Sequence, residues 1–328
     1  MGIVSGMTLT EDYRSIRESA AIGTVAERRQ IAVTGTERAA YLQGLLTNDI
    51  VALQPGGGCY AAWLTPQGRM LTDMYVLQSE RMILLDVPVM AEQPTLARLD
   101  QFIFSEDVQV ASLSDHLVSV WVHGPHASAV LATVLTGAQG LDAWSLYQHV
   151  QLLFGETPVA VARIDQLGVP GFCLYVERAR AADLIAGLEA AGARAVSADV
   201  IETARIEAGY PVFGVDMTDD ILPLEAGIED RAISFTKGCY VGQEIVIRVL
   251  HRGQGRVAKK LVPLMFTEVP QPAGSKLHAG DREVGYVTSA AVSPRLGPIG
   301  LGYVHRDFLA PGSALQEAVV EGQTRVRP

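Results

Sequence analysis

Apolar residues along the first 209 positions follow two spacings, which predict alternating strands and helices. Short runs with apolar alternation or continuous apolar character are typical of strands, and apolar residues three or four positions apart are typical of helices. The predicted strands cover residues 59–64, 70–77, 82–89, 158–164 and 172–176. The predicted helices cover residues 92–104, 179–192 and 198–208, and the last two end where Gly192 and Gly209 stop the pattern.

The sequence also contains an internal repeat. Residues 33–46 (VTGTERAAYLQGLL) and 122–135 (VHGPHASAVLATVL) share Val, Gly, Ala, Leu and Leu at the same five positions. Each copy follows a β-rich run and starts a segment with helical periodicity, and Thr36 is the predicted N-cap in the first copy. The repeat therefore predicts two related α+β units.

The pattern changes from about residue 255 onwards. Short β-rich pieces there alternate with Gly and Pro turns and show little helical periodicity. This texture predicts a small antiparallel barrel or sandwich at the C-terminal side of the chain.

Composition restricts the class of protein. The chain has 328 residues, 26 Lys and Arg against 36 Asp and Glu, and a net charge of −10. A length of this kind suits two or three domains, and the acidity argues against non-specific nucleic-acid binding, which needs many cations. Three cysteines without a Cys-x-x-Cys pair predict neither a disulfide framework nor a metal site. We expect a cytoplasmic protein, because neither a signal peptide nor a membrane-spanning run is evident.

Charges are segregated between two neighbouring stretches. Residues 201–230 hold eight acidic residues and one basic residue, Arg205, whereas residues 237–260 hold six basic residues and one acidic residue, Glu244. Two interpretations remain open, either two solvated faces or a basic cleft that attracts an anionic ligand.

The segment at the border of these stretches reads FTKGCYVGQEIVIRVLHRG, residues 235–253. Gly238 and Gly242 would allow a tight turn, and Cys239 follows closely on the cation Lys237, which would favour a thiolate. The alternative for Cys239 is a small, buried and inert side chain.

Lys237-Gly238-Cys239-Tyr240-Val241-Gly242-Gln243-Glu244 resembles the signature octapeptide of YgfZ-type folate-binding proteins, which are relatives of the glycine-cleavage T-protein (aminomethyltransferase). Residues 41–50, 59–77 and 204–217 resemble further segments of that superfamily, in the same order. The resemblance covers most of the chain. It implies an α+β fold with two ferredoxin-like α+β units and a C-terminal antiparallel β-barrel around a central channel. The expected boundaries are 1–115, 116–245 and 246–328, and interleaving of the first two units in space is left open.

The resemblance also implies a function. We expect a folate-binding accessory protein that supports iron–sulfur cluster assembly or repair, with tetrahydrofolate as ligand and iron–sulfur proteins or assembly factors as partners. Cys239 would be the functional thiol and Lys237 its electrostatic partner, with Glu207 anchoring its helix through Arg205 or an octapeptide group. The remaining site residues implied are Gly238, Tyr240, Gly242, Gln243 and Glu244 in the octapeptide, and Tyr60, Asp73, Cys173, Arg248 and Arg252 for folate.

Two departures from the T-protein pattern affect the expected chemistry. The T-protein has an Asp-Asp pair after its hairpin turn, where this chain has Thr72-Asp73, and the acid lost in a straight alignment is the catalytic one. Asp73 replaces it only if it faces the site, since neighbouring strand residues point to opposite faces. A pterin-binding carboxylate is replaced by Cys173, which is a poor hydrogen-bond acceptor.

Two alternatives therefore stay open. One is a tetrahydrofolate-dependent aminomethyl- or methyltransferase that uses Asp73 as its catalytic acid. The other is an interaction scaffold in which the folate channel is vestigial.

Overall fold

Strand and helix boundaries in the computed structural model agree closely with the apolar spacing. The structure describes residues 2–251 and 256–322, with side chains from residue 10 to 250 and from 256 to 322. The helices of this part of the chain are α1 (Gly2–Glu18), α2 (Arg38–Leu45), α3 (Glu92–Gln101), α4 (Ala127–Val134), α5 (Ala181–Ala190), α6 (Ala198–Glu207), α7 (Pro223–Ala226), α8 (Glu229–Ala232) and α9 (Gln243–His251). The strands are β1 (Ala21–Ile22), β2 (Arg28–Thr34), β3 (Gly57–Leu64), β4 (Met70–Gln78), β5 (Ile83–Pro88), β6 (Gln109–Ser112), β7 (Leu117–His123), β8 (His149–Phe154), β9 (Thr157–Arg163), β10 (Gly171–Glu177), β11 (Arg194–Ala195), β12 (Lys259–Phe266), β13 (Lys276–Ala279), β14 (Arg282–Ser293), β15 (Gly297–His305) and β16 (Ala318–Val320).

The described strands form three sheets. The first has the order β3-β4-β5-β2-β6, and the second has the order β11-β1-β7-β10-β9-β8. The third, β13-β14-β15-β12-β16, is the curled antiparallel half-barrel of the C-terminal part. This mixed α+β arrangement confirms the predicted fold class. Strand β1, from the start of the chain, pairs with β7 and thus joins the second sheet.

The internal repeat corresponds to two equivalent strand–helix units, β2–α2 and β7–α4. Gly35 and Gly124 adopt φ values of 98° and 123° at the same point of each unit. A Cβ atom would lie 1.9 Å from the Asp107 carbonyl oxygen at Gly35, and 2.3 Å from the Ser19 carbonyl oxygen at Gly124. Both copies therefore require glycine because another segment crosses the turn at close range.

The predicted N-cap at Thr36 is wrong. The N-cap of α2 is Glu37, and the Thr36 hydroxyl instead donates to Asp107 Oδ2 over 2.8 Å. Asp107 belongs to the crossing segment, so a side chain expected to cap a helix connects two parts of the chain.

One hydrophobic core is shared by all three sheets. The first sheet contributes Tyr60 and Tyr75, the second contributes Trp121 and Tyr175, and the third contributes Tyr303. Strand alternation directs the other side of each sheet toward a separate core. The shared core, called the central cluster below, is thus the place where the chain can assemble a site from distant segments.

Among the described residues, no helix combines the length and the apolar character that a membrane span requires.

Candidate functional site

The central cluster is rich in aromatic side chains with polar ends. The rings of Tyr60 and Tyr75 lie 5.6 Å apart, and Tyr75 lies 6.2 Å from Trp121 and 6.1 Å from Tyr147. The Tyr75 hydroxyl is hydrogen-bonded to that of Tyr210 and accepts a hydrogen bond from Gln166 Nε2 over 2.8 Å. Except for the partly buried Tyr147, these rings are almost completely buried, and they form one packed aromatic cluster with polar groups at the ring edges.

Asp73 belongs to this cluster. The alternation along β4 places Tyr75 and Leu77 in the central cluster and Met74 and Val76 in the core of the first sheet. Asp73 lies on the central side, because its Oδ2 accepts a hydrogen bond from the Tyr60 hydroxyl over 2.6 Å. The condition set for Asp73 is therefore met, since the chain keeps a carboxylate that faces the shared core.

A second carboxylate lies on the same wall. Arg28 donates from Nη1 to Asp73 over 3.3 Å and from Nε to Asp86 over 2.6 Å. The Tyr175 hydroxyl donates to the other oxygen of Asp86 over 2.6 Å. Burial raises the pKa of Asp86, and the Arg28 guanidinium counteracts part of that rise. The network fixes both carboxylates in one orientation.

Protonation of the surrounding hydroxyls follows from the same burial. Burial and the adjacent Asp73 carboxylate raise the pKa of Tyr60. Its hydroxyl therefore keeps its proton and remains the donor toward Asp73.

Cys173 is fully buried in the central cluster, on β10. Burial raises the pKa of its thiol, so the side chain is a neutral, weak hydrogen-bonding group. A carboxylate from the first sheet, that of Asp86, reaches this strand instead and accepts a hydrogen bond from the Tyr175 hydroxyl.

Arg231 is the residue that the sequence interpretation missed. It belongs to α8, and its guanidinium carbon lies 4.3 Å from the ring centre of Tyr60 and 4.4 Å from that of Tyr210. It follows directly on the acidic stretch 201–230 and precedes the basic one, so neither charge count included it. No local pattern in the sequence distinguished it.

Several buried polar atoms at this centre have no hydrogen-bond partner in the described part of the chain. They are the donors Nε and Nη2 of Arg231, the donor Nε1 of Trp121 and the acceptor Oε1 of Gln166. Buried polar atoms are almost always paired in folded proteins, so these four atoms call for a partner from outside the chain, either water or a ligand. Both donors and acceptors are available, which fits the mixed edge of a pterin ring.

Lys237 has a different role from the one predicted. Its Nζ donates to the backbone carbonyls of Gln43, Leu46 and Asn48 at 2.6, 2.7 and 2.8 Å. These three bonds use all the donors of an ammonium group and fasten the octapeptide to the end of α2. The ammonium thus has a structural role that was not predicted, and its electrostatic effect on Cys239 stays a prediction.

The two octapeptide glycines also differ from each other. Gly242 has φ 85°, and a Cβ there would lie 2.6 Å from the Thr65 carbonyl oxygen in the β3–β4 turn. A Cβ at Gly238 would meet nothing within 4 Å, and its φ lies outside the left-handed region. Only Gly242 is required by the backbone, and the close approach it allows is to the protein's own hairpin.

In the rest of the octapeptide, Tyr240 packs into the central cluster and the valine after it packs against the core of the first sheet. Cys239 is exposed, so the alternative of a buried, inert cysteine does not hold. Gln243 and Glu244 begin α9, and Glu244 forms an exposed ion pair with Arg248 one turn later.

The structure thus separates the predicted site into two groups. Tyr60, Asp73 and Cys173 meet in the central cluster, whereas Cys239 and Arg248 are exposed. Arg252 lies outside the described residues. Lys260 pairs with Glu229 over 3.0 Å, so this cation and those of Lys237 and Arg248 are engaged within the protein and not gathered in a free basic cleft.

Glu207 anchors its helix as expected, but through other partners. Its carboxylate accepts from Arg17 Nη2 over 2.6 Å, from the Tyr13 hydroxyl over 2.8 Å and from Arg295 Nη2 over 3.3 Å. Arg205 instead pairs with Asp216 over 2.8 Å. Glu207 therefore connects α1, α6 and the loop after β14.

Comparison with known proteins identifies relatives along nearly the whole chain. Residues 6–237 match the GCVT N-terminal domain, and residues 259–327 match the glycine cleavage T-protein C-terminal barrel domain. The aminomethyltransferase of Streptomyces coelicolor is 30% identical over 312 residues, which cover 92% of this chain and 83% of the relative. The aminomethyltransferase of Shouchella clausii is 28% identical, with 99% of this chain and 89% of the relative covered.

A solved structure supports the same fold. The glycine cleavage system aminomethyltransferase T from Bartonella henselae superimposes with a TM-score of 0.84 at 23% identity, over 96% of this chain and 88% of that one.

These findings correct the predicted function. The accessory role in iron–sulfur cluster assembly or repair is wrong, because the curated relatives that span the chain are named aminomethyltransferase. The octapeptide, on which that prediction rested, holds its lysine in a structural role and exposes its cysteine at the surface.

Proposed function

Because the chain belongs to the glycine cleavage T-protein family, whose two domain models match residues 6–237 and 259–327, we propose that it is a tetrahydrofolate-dependent aminomethyltransferase. The observation that carries this proposal is the position of Asp73. Its carboxylate is buried in the cluster shared by the three sheets and is held by Tyr60 and Arg28.

The proposed reaction moves the carbon of an S-aminomethyl group to two nitrogen atoms of tetrahydrofolate, with breakage of its bonds to sulfur and nitrogen and release of the free thiol and ammonia. Tetrahydrofolate supplies the nitrogen atoms that accept this carbon. The residues of the central cluster bind and orient it: the tyrosine rings offer stacking surfaces, and Trp121, Gln166 and Arg231 offer unpaired polar atoms.

Asp73 is the proposed proton acceptor and positioning group. Tyr60 and Arg28 keep its carboxylate in one orientation, which lowers the entropic cost of reaching the reactive geometry. The side chain of Asp73 is 3% exposed. Exclusion of water strengthens the electrostatic effect of a buried carboxylate on a developing positive charge.

An enzyme assay that measures tetrahydrofolate-dependent turnover tests this proposal. Purified protein is mixed with tetrahydrofolate and an S-aminomethyl thiol, and formation of methylenetetrahydrofolate and ammonia is measured. We expect tetrahydrofolate-dependent turnover that falls by about 100-fold or more in Asp73→Asn, because the loss of a general base typically costs that much.

The matched control is Asp100→Asn, which changes an exposed aspartate on α3 and should leave turnover unchanged. Absence of turnover in the wild-type protein would contradict the proposal. Equal turnover in wild type and Asp73→Asn would remove Asp73 from the chemistry.

The cytoplasmic location predicted from the sequence is part of this proposal. The similarity of the octapeptide to YgfZ-type proteins concerns subgroup membership alone, and that membership remains a prediction.

A further inference from the structure

Arg231 combines burial with unused hydrogen-bonding capacity. Its Nε and Nη2 atoms are buried without a hydrogen-bond partner, and no ion pair within residues 10–250 and 256–322 involves its side chain. These two nitrogens lie on one edge of the planar guanidinium and donate in nearly parallel directions. An edge of this kind can converge on one or two acceptor atoms of a ligand.

The surroundings of Arg231 favour a planar ligand. The rings of Tyr60 and Tyr210 both lie within 4.4 Å of its guanidinium carbon. Tyr75 connects these rings, through a 5.6 Å ring contact with Tyr60 and a hydroxyl hydrogen bond with Tyr210. A flat heterocycle placed against these rings would present its edge to Arg231, whereas a flexible chain would gain little from the contact.

The charges favour a neutral acceptor over an anion. The wall holds two carboxylates, Asp73 and Asp86, and two guanidiniums, Arg28 and Arg231. These four charges balance without a ligand. A ligand carboxylate in this region would therefore give the region excess negative charge, and the carboxylate itself would lose its hydration. A carbonyl oxygen accepts the same two hydrogen bonds without that cost.

We propose that Arg231 donates from Nε and Nη2 to the ring carbonyl of the folate pterin and makes the site selective for folates with a 4-oxo group over those with a 4-amino group. This inference rests on the proposed function. A 4-amino group presents N–H donors to the donors of Arg231, so neither side is satisfied. Arg231 would thus be a specificity-determining residue of the central cluster, in which Cys173 has no carboxylate to offer.

The experiment is isothermal titration calorimetry with reduced protein under anaerobic conditions. The two ligands are tetrahydrofolate and its 4-amino analogue, and the variants are Arg231→Gln, Arg231→Lys and the control Arg98→Gln, which changes an exposed arginine on α3. Wild type and the control should prefer tetrahydrofolate by about 10- to 100-fold, the value of one charge-assisted hydrogen bond.

The variants should change this preference in a defined order. Arg231→Gln should bind tetrahydrofolate about 10-fold or more weakly and lose most of the selectivity, because an amide offers both a donor and an acceptor. Arg231→Lys keeps the charge but not the planar edge, so its selectivity should be intermediate. Thermal melting of each variant verifies that it is folded.

Three results would overturn the inference. Equal affinity of the wild type for the two ligands would exclude the contact between Arg231 and the ring carbonyl. Folate binding and the proposed function would then still stand. An effect of Arg231→Gln that disappears with tetrahydropteroate, which lacks the glutamate, would assign Arg231 to the glutamate carboxylate. Failure of the wild type to bind either ligand would overturn the inference and the proposed function together.

Discussion

Tyr60 contacts two opposite charges at once: its hydroxyl donates to Asp73 over 2.6 Å, and its ring lies 4.3 Å from the guanidinium carbon of Arg231. The carboxylate comes from β4 and the guanidinium from α8, which are separated by more than 150 residues along the chain. One tyrosine side chain therefore links the proposed proton acceptor to the proposed ring-binding residue.

The Tyr60–Asp73 hydrogen bond should be measurable by a double-mutant cycle. Tyr60→Phe should lower the free energy of unfolding by about 1.5–3 kcal/mol, because a buried carboxylate loses a donor. In an Asp73→Asn background the same change should cost only about 0.5–1.5 kcal/mol, since the partner is no longer charged. Urea denaturation of the four proteins gives the coupling energy, and a coupling near zero would show that the hydrogen bond is not formed.

The octapeptide should be sensitive at Lys237 and tolerant at Cys239. Lys237→Met leaves three backbone carbonyls at the end of α2 without their donor and should lower the unfolding free energy by about 1–3 kcal/mol. Cys239→Ser changes an exposed side chain and should leave both stability and turnover unchanged. Urea denaturation and the turnover assay test the pair. A loss of turnover in Cys239→Ser at unchanged stability would give the thiol a role that the proposed function does not include.

The two octapeptide glycines provide a matched pair of substitutions. Gly242→Ala should destabilise the protein by about 1–3 kcal/mol, because alanine is strained at φ 85° and its Cβ would collide with the Thr65 carbonyl oxygen. Gly238→Ala has open space and an ordinary φ, so it should be neutral or stabilise by about 0.5 kcal/mol. Thermal and urea denaturation measure both, and equal losses would contradict the turn geometry.

His123 should make the protein less stable in mild acid. Burial lowers the pKa of His123 to about 4, against about 6.5 in an unfolded chain. The unfolded state then binds more protons between these values, so this contribution is fully present above pH 6.5 and is lost as the pH falls toward 4. The total is about 3 kcal/mol, from 1.36 kcal/mol per pKa unit.

The measurement compares urea denaturation at pH 7 and at pH 5 in three proteins. His123→Gln should lose less stability than the wild type over this interval, because it cannot take up the proton. His126→Gln, an exposed position on the same turn, should behave like the wild type. The same acid-induced loss in wild type and His123→Gln would show that other groups account for it.

The fold could be predicted well from sequence because local periodicity and the repeat were consistent with each other. The strand predicted at 70–77 is Met70–Gln78, and the helix predicted at 198–208 is Ala198–Glu207. Both copies of the repeat have glycine at the same position, Gly35 and Gly124, for a steric reason. The segments that cross these glycines lie far away in the sequence, so the reason could not be predicted locally. Thr36 failed as a cap for this reason, since Asp107 competes for its hydroxyl.

The site residues could be predicted only where strand alternation determines the direction in which a side chain points. Asp73 and Tyr60 were identified by resemblance, and the structure shows that both side chains face the same cluster. Lys237 was assigned to Cys239 because the two are neighbours in sequence, but a long side chain reaches carbonyls almost 200 residues away. Arg231 was missed because its importance comes from Tyr60 and Tyr210, and no local pattern connects these residues.

The sharing of one core by three sheets has an evolutionary consequence. Tyr60, Tyr175 and Tyr303 belong to three different sheets but to the same packed cluster. A substitution in one sheet must remain compatible with side chains from the other two, so each third of the chain limits which mutations the others can accept. The inner faces of the two repeat units must therefore change together, whereas each outer face has to stay compatible only with the separate core of its own sheet.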